Sequence, residues 1–202
     1  MNAIASYLLQ MLVPALAGAL IWFFTRPLRL GLGKPRSSRS REIAWLILFM
    51  FVAGLLALTI TPAGFWPALL HGEKPMLMPD RGGREVNLVP FVRSLELLRY
   101  YIRNGYWSAI LVNFPGNIVM FLPIGFFAAL LSDKPRWWKS VLITAALSAF
   151  IEFFQLFVAR GTDVDDLILN TLGGLCGYWV YLLVRRGSPG FVSRCGRRKG
   201  RS

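Results

Sequence analysis

The stretch SAFIEFFQLFVARGTDVDDLILNTLGGLCG, residues 148–177, decides the fold. Apolar runs flank the polar connection ARGTDVDD, and each run is long enough to enter a bilayer. The runs nevertheless carry Glu152, Gln155 and Asn170. An ionisable side chain inside a membrane costs about 3 kcal/mol on insertion scales, so such a residue is typical of a functional site. The stretch therefore predicts a hairpin of two transmembrane helices with polar groups between them.

The whole chain has the composition of an integral membrane protein. Of its 202 residues, 55% are hydrophobic, and the mean hydropathy is +0.50. Apolar runs of about the length that crosses a bilayer occur at residues 4–24, 42–60, 107–131, 138–158 and 165–184. We expect an all-α fold, an integral membrane bundle of about five transmembrane helices. We divide it into residues 1–41 (first span and basic loop), 42–185 (membrane domain) and 186–202 (basic tail).

Basic residues predict the orientation of this bundle. Three segments carry 16 of the 23 Lys and Arg residues: the 25–41 loop, the loop after the third span and the C-terminal tail. Five alternating spans put all three segments on one side, and the positive-inside rule makes that side the cytoplasm. We therefore predict a multi-pass protein of the cell membrane with its N-terminus outside. Topology and contact with anionic lipids explain the net charge of +13, so no nucleic-acid partner is expected.

Cysteine and histidine offer no framework for a cofactor. Cys176 lies in the last span, Cys195 lies in the tail, and His71 is isolated in a loop. The sequence contains no HExxH motif and no evident pairing of Ser or Cys with His. We predict no metal and no cofactor, and the catalytic residues, if there are any, stay unknown.

The third span and the segment before it add further polar features. Asn113 and Asn117 are four residues apart, which places them on one face of a continuous helix. The preceding segment, VRSLELLRYYIRN at 92–104, has apolar residues at helical spacing. It predicts a short external amphipathic helix on the outer leaflet, and packing against the external loop is the alternative.

Small residues in the last span predict close helix packing. Gly173 and Gly177 form a GxxxG motif, which lets two helix backbones approach each other. We expect this motif to hold the fourth and fifth helices together. The two helices would then present their polar faces to each other near the outer end.

Depth places the unusual polar residues in one half of the membrane. At a rise of about 1.5 Å per residue, Glu152 and Asn170 each lie roughly 9 Å below the outer ends of their spans. Arg160 is expected to turn back over the outer mouth, because Gly161 permits a helix-ending turn. The predicted ligand-binding residues are Asn117, Glu152, Gln155, Arg160, Asp165, Asp166 and Asn170.

Several of these stretches together resemble a known family. They are NLVPF at 87–91, NIVMFLPIGF at 117–126, IEFFQ at 151–155, and Arg160 followed by DVDD at 163–166 and NTLGG at 170–174. In this order, over about residues 40–185, they resemble the VanZ-like family. That family is named for a bacterial protein associated with resistance to the glycopeptide teicoplanin. The resemblance implies a bacterial, envelope-facing membrane protein, for which a role in glycopeptide resistance is an expectation, and it implies no particular reaction.

Three functions remain open at this stage. In the first, the site binds an envelope lipid, a lipid-linked precursor or a glycopeptide-related amphiphile. The guanidinium of Arg160 would then be the bidentate hydrogen-bond donor to a phosphate or carboxylate of this ligand. A transporter that uses Glu152 as a proton carrier is a variant of this function. In the second, Glu152 and the aspartates at 163, 165 and 166 form a carboxylate-dependent hydrolase, as general acid and base or through a hard cation.

In the third, the polar hairpin is structural. Asp163 then caps the fifth helix, and Asp165 and Asp166 lie favourably in its first turn. Membrane lipids are the expected partners under all three hypotheses, and the oligomeric state stays open.

Overall fold

The computed structural model describes residues 3–30, 38–61, 65–74, 86–87, 89–156 and 162–196. Nearly all the regular structure in these ranges is helical. The elements are α1 (Ala3–Leu30), α2 (Arg39–Ile60), α3 (Phe65–Leu70), β1 (Val86–Asn87), α4 (Val92–Arg103), α5 (Trp107–Asn113), α6 (Pro115–Leu130), α7 (Trp137–Gln155), β2 (Thr162–Asp163), α8 (Val164–Gly187) and α9 (Pro189–Cys195).

Four helical segments in the described part of the chain are long and apolar enough to cross a membrane. They are Arg39–Ile60, Trp107–Leu130, Trp137–Gln155 and Val164–Gly187. Helix α1 adds a shorter apolar segment, Gln10–Thr25, and packs along α2. The predicted all-α membrane bundle is confirmed, and the protein is a multi-pass membrane protein.

The third span is interrupted, which corrects one prediction. Helix α5 ends at Asn113, and α6 begins at Pro115, where a first-turn proline costs no helical hydrogen bond. Because of this break, Asn113 and Asn117 do not act on one shared face. The exposed Asn113 donates to the carbonyl of Ala109, 2.8 Å away within its own helix, which is its one side-chain bond among the described residues, whereas Asn117 donates to Asp166 in α8.

Glycines bring α8 against α6, which corrects a second prediction. A Cβ added to Gly177 would lie 2.1 Å from the carbonyl oxygen of Leu122, and one on Gly173 would lie 2.4 Å from that of Ile118. Both acceptors belong to α6. The GxxxG motif therefore faces the third span and not the fourth, because spacing specifies a close approach but does not specify the partner helix.

A different glycine lets α7 approach α8. A Cβ on Gly174 would lie 2.3 Å from Oγ1 of Thr144 in α7. The α7 surface at this seam carries small polar side chains four residues apart, Ser140, Thr144 and Ser148, all buried. Small side chains on both helices permit this contact, and they lead directly to Glu152, one turn further along α7.

Arg41 joins three segments at the other end of the bundle. Its Nη1 donates to the carbonyl of Cys195 at 3.0 Å, and its Nη2 donates to that of Leu131 at 2.9 Å. The hydroxyl of Ser38 donates to the carbonyl of Arg194. The three basic segments thus meet at one end, as the charge pattern predicted. Part of the predicted basic tail is helix α9, which buries Cys195, and this burial raises the pKa of the Cys195 thiol.

Candidate functional site

The site lies where α7 ends and α8 begins. Glu152, one turn before the end of α7, is only 8% exposed. Its Oε2 accepts a hydrogen bond from the backbone N–H of Asp163 at 3.3 Å. A buried carboxylate on one helix is thereby tied to the N-cap residue of the next helix.

Asp163 caps α8 and anchors the external segment. Its Oδ1 accepts from the backbone N–H of Asp165 at 3.0 Å, which is the N-cap that the structural hypothesis predicted. The same oxygen accepts from Nδ2 of Asn87 at 3.2 Å. Asn87 also faces Asp163 in a parallel pairing of β1 with β2, two residues each, which the sequence did not predict. Asp163 is therefore a structural residue of this site.

Asp165 fixes the start of α4 from a different helix. It is 2% exposed, its Oδ1 accepts from the N–H of Phe91 at 2.7 Å, and its Oδ2 accepts from the hydroxyl of Ser94. Phe91 adopts φ 65°, a left-handed conformation that costs a residue with a Cβ about 1–2 kcal/mol. Phe91 is the N-cap residue of α4, and its side chain makes no capping hydrogen bond. Asp165, which belongs to α8 of the same chain, therefore supplies the cap that α4 lacks.

Asp166 connects α8 to α6 and lies within the electrostatic influence of a cation. Its Oδ1 accepts from Nδ2 of Asn117 at 2.6 Å, beside the glycine contact between the same two helices. The guanidinium of Arg93, in the first turn of α4, acts on Asp166 electrostatically. Glu152 and Asp163 act on Asp166 as well, so the carboxylates form one cluster.

Asn170 lies one turn further into the membrane and has an open acceptor. It is 5% exposed, and its Nδ2 donates to Oγ of Ser148 at 2.9 Å. Its Oδ1 has no hydrogen-bond partner within the described part of the chain. A buried acceptor left without a donor costs about 1–3 kcal/mol, so this oxygen is suited to a ligand or water that brings an N–H or O–H group.

The predicted site residues separate into three groups. The structure brings together five of them at one end of α6, α7 and α8: Asn117, Glu152, Asp165, Asp166 and Asn170. Gln155 instead donates to the carbonyl of Thr59 in α2 at 3.0 Å. Arg160, with the turn predicted for it, lies outside the residues that the structure describes.

Sequence reasoning missed contributions from the segment before the third span. Asn87 and Phe91 belong to the quoted NLVPF stretch, so their position in a motif was the available signal. Ser94 gave no signal, because a serine on an amphipathic helix is ordinary. Gln10 was missed too: its Nε2 donates to Oγ1 of Thr61 at 3.0 Å and joins α1 to the end of α2.

The chemistry of the cluster is that of hydrogen-bond acceptors. Among the described residues, no group of three or more His, Cys, Asp or Glu side chains is arranged to hold a metal ion. Asp163 and Asp165 already bind backbone N–H groups. Glu152 also accepts from the backbone N–H of Asp163, and Asp166 accepts from Asn117, so Asn170 is the member of this cluster with an open acceptor.

A model of the VanZ/LLP1 family matches residues 43–185. The chain belongs to the VanZ/LLP1 family. The matched residues of this VanZ/LLP1 protein include every described member of the cluster, from Asn87 to Asn170. No curated protein and no solved structure matches the chain significantly. The family membership agrees with the resemblance seen in the sequence.

Proposed function

We propose that this VanZ/LLP1 protein binds the polar head of an amphiphile of the bacterial cell envelope. The binding groups are Glu152, Asp166 and Asn170, with Asn117 supporting Asp166. By the positive-inside rule, the end held by Arg41 faces the cytoplasm, so the site opens to the outside of the cell membrane. The amphiphile would enter from the outer leaflet, with its chains in the bilayer and its head between α7 and α8.

The open acceptor on Asn170 is the observation that carries this proposal. Polar side chains that only hold helices together satisfy one another, as Asn117 and Asp166 do. Asn170 uses its amide N–H on Ser148 and leaves Oδ1 available. Ser140 Oγ is also buried without a partner among the described residues, but it lies about three turns of α7 away from Glu152. Asn170 Oδ1 differs because Asn170 bonds to Ser148, one turn from Glu152, which places its open acceptor beside the carboxylate cluster.

The acceptor character of the site indicates the class of head group. Carboxylate and amide oxygens select hydroxyl, amide or amine donors, which occur in the sugar and peptide parts of lipid-linked envelope precursors and of glycopeptides. A phosphate in the same ligand needs a cation. Arg93 supplies one beside Asp166, and Arg160 stays our hypothesis for a second one.

Native mass spectrometry of the purified full-length protein tests the proposal. We expect a bound amphiphile in the wild type, and about tenfold less of it in Asn170→Leu and in Glu152→Gln, because each loses a hydrogen bond worth about 1–1.5 kcal/mol. Asn113→Leu is the matched control, since Asn113 is an exposed amide in the adjacent α5 and bonds only within that helix. Equal retention in all variants, or none in the wild type, would reject the proposal.

The proposed role in glycopeptide resistance needs its own experiment. A teicoplanin-susceptible bacterium that expresses the protein should tolerate more drug than the same strain expressing Glu152→Gln at equal abundance in the membrane. Equal inhibitory concentrations for the two strains, together with retained amphiphile, would separate the binding function from resistance.

A further inference from the structure

Helix α4 has three distinct faces. Leu97 and Tyr101 are half-buried against the protein, next to the Ser94 contact with Asp165. On one side of them, Leu95 and Ile102 are 49% and 50% exposed, and Leu98 on the same stripe is half-buried. No residue of α4 is fully buried. The apolar stripe on α4 is therefore exposed at Leu95 and Ile102 and partly covered at Leu98.

The polar face of α4 is mainly basic. Glu96, Arg99 and Arg103 are all exposed and follow one another at intervals of three and four residues, so they lie along one face of the helix. Arg99 and Arg103 outnumber Glu96, so this face carries net positive charge. An apolar stripe beside a basic face is typical of a helix that lies in the headgroup layer of a membrane.

The connection to the third span sets the depth of α4. Gly105, at φ 71°, turns the chain directly from α4 into the membrane-spanning segment that starts at Trp107. Tyr100, Tyr101 and Tyr106 form a group of rings at this corner, with centroids 5.9 to 6.5 Å apart, and Trp107 is exposed. Tyr and Trp concentrate at the membrane–water interface, so the corner lies at headgroup depth and α4 ends there.

We propose that α4 is an anionic-lipid-binding helix that lies in the headgroup layer beside the site. Leu95 and Ile102 enter the acyl region, while Arg99 and Arg103 bind lipid phosphates. Asp165 holds the N-terminal end of the helix to α8 through Phe91 and Ser94. This surface does not depend on which ligand the Asn170 site takes.

Hydrogen exchange of the α4 amides in the full-length protein tests this surface. The protein is placed in nanodiscs of a zwitterionic phospholipid, with or without one part in four of an anionic phospholipid. We expect the anionic lipid to slow exchange across residues 92–103 by about fivefold for each arginine engaged. The double variant Arg99→Gln/Arg103→Gln should lose this lipid dependence, and the control Glu96→Gln should keep it.

Two results would overturn the proposal. The first is equal exchange in both bilayers for the wild type, or an unchanged lipid dependence in the double arginine variant. The second is protection that survives Leu95→Glu/Ile102→Glu, because a protein surface, such as a second copy of this chain, would then cover α4. Unchanged exchange in α8 shows in each case that the fold is intact.

Discussion

Replacing Gly177 by alanine should separate α6 from α8. The added Cβ would lie 2.1 Å from the carbonyl oxygen of Leu122 and 2.6 Å from the backbone nitrogen of Phe126. Both obstacles are backbone atoms inside a helix, so no side-chain rotation can relieve them. The helices would have to move apart by about 1 Å to restore an ordinary contact, as in other overpacked interiors.

The magnitude follows from the cost of overpacking. Extra methyl groups forced into well-packed interiors cost about 1–3 kcal/mol. For a chain of this length, that loss lowers the unfolding midpoint by roughly 2–12 °C. The bond between Asn117 and Asp166 belongs to the same seam and is 2.6 Å long, so it should weaken along with the packing.

Thermal unfolding of the detergent-purified protein measures this effect, with Gly187→Ala as control. Gly187 is the last residue of the same helix, and a Cβ there meets no atom within 4 Å. Alanine should be neutral at this position, or stabilising by up to about 1 kcal/mol, because it is the better helix former. The packing argument is refuted if Gly177→Ala unfolds within about 1 °C of Gly187→Ala.

Three further predictions concern the ends of the bundle. Asp163→Ala should cost about 1–2 kcal/mol in unfolding free energy, since α8 loses its cap; an unchanged denaturant midpoint would contradict this. Arg41→Gln should cost about 1–3 kcal/mol, because two helix-end carbonyls lose their donor, while the exposed Arg39→Gln should change nothing in the same melting assay. The Cys195 thiol is buried, and burial raises its pKa, so it should resist a maleimide at about pH 8 until the protein unfolds, as peptide mass spectrometry can show. As the pH rises past the ordinary thiol pKa of 9.0, the thiol ionises in the unfolded chain while it is still protonated in the folded protein. The contribution of Cys195 to the free energy of unfolding should therefore fall as the pH rises through this range.

Much of the site could be predicted because its signals are local in the sequence. Glu152 and Asn170 stand out inside apolar runs, and Asp163 precedes a helical run in the manner of an N-cap. The capping of α4 by Asp165, a residue of another helix, could not be predicted in this way. Asp165 and Phe91 are 74 residues apart and meet in the tertiary structure, next to the parallel pairing of Asn87 with Asp163.

The sequence by itself determined the class of this protein. Three of its features depend only on neighbours along the chain. Hydropathy specifies the spans, the clustering of basic residues specifies a basic end, and the helical spacing of apolar residues in 92–104 specifies an amphipathic helix. The partner of each polar or small residue was decided only by the tertiary structure. The break at Phe114 separated Asn113 from Asn117, and the rotation of α8 turned Gly177 towards α6. Helical periodicity defines the faces of a helix, but only the packing of the whole bundle decides which helix each face meets.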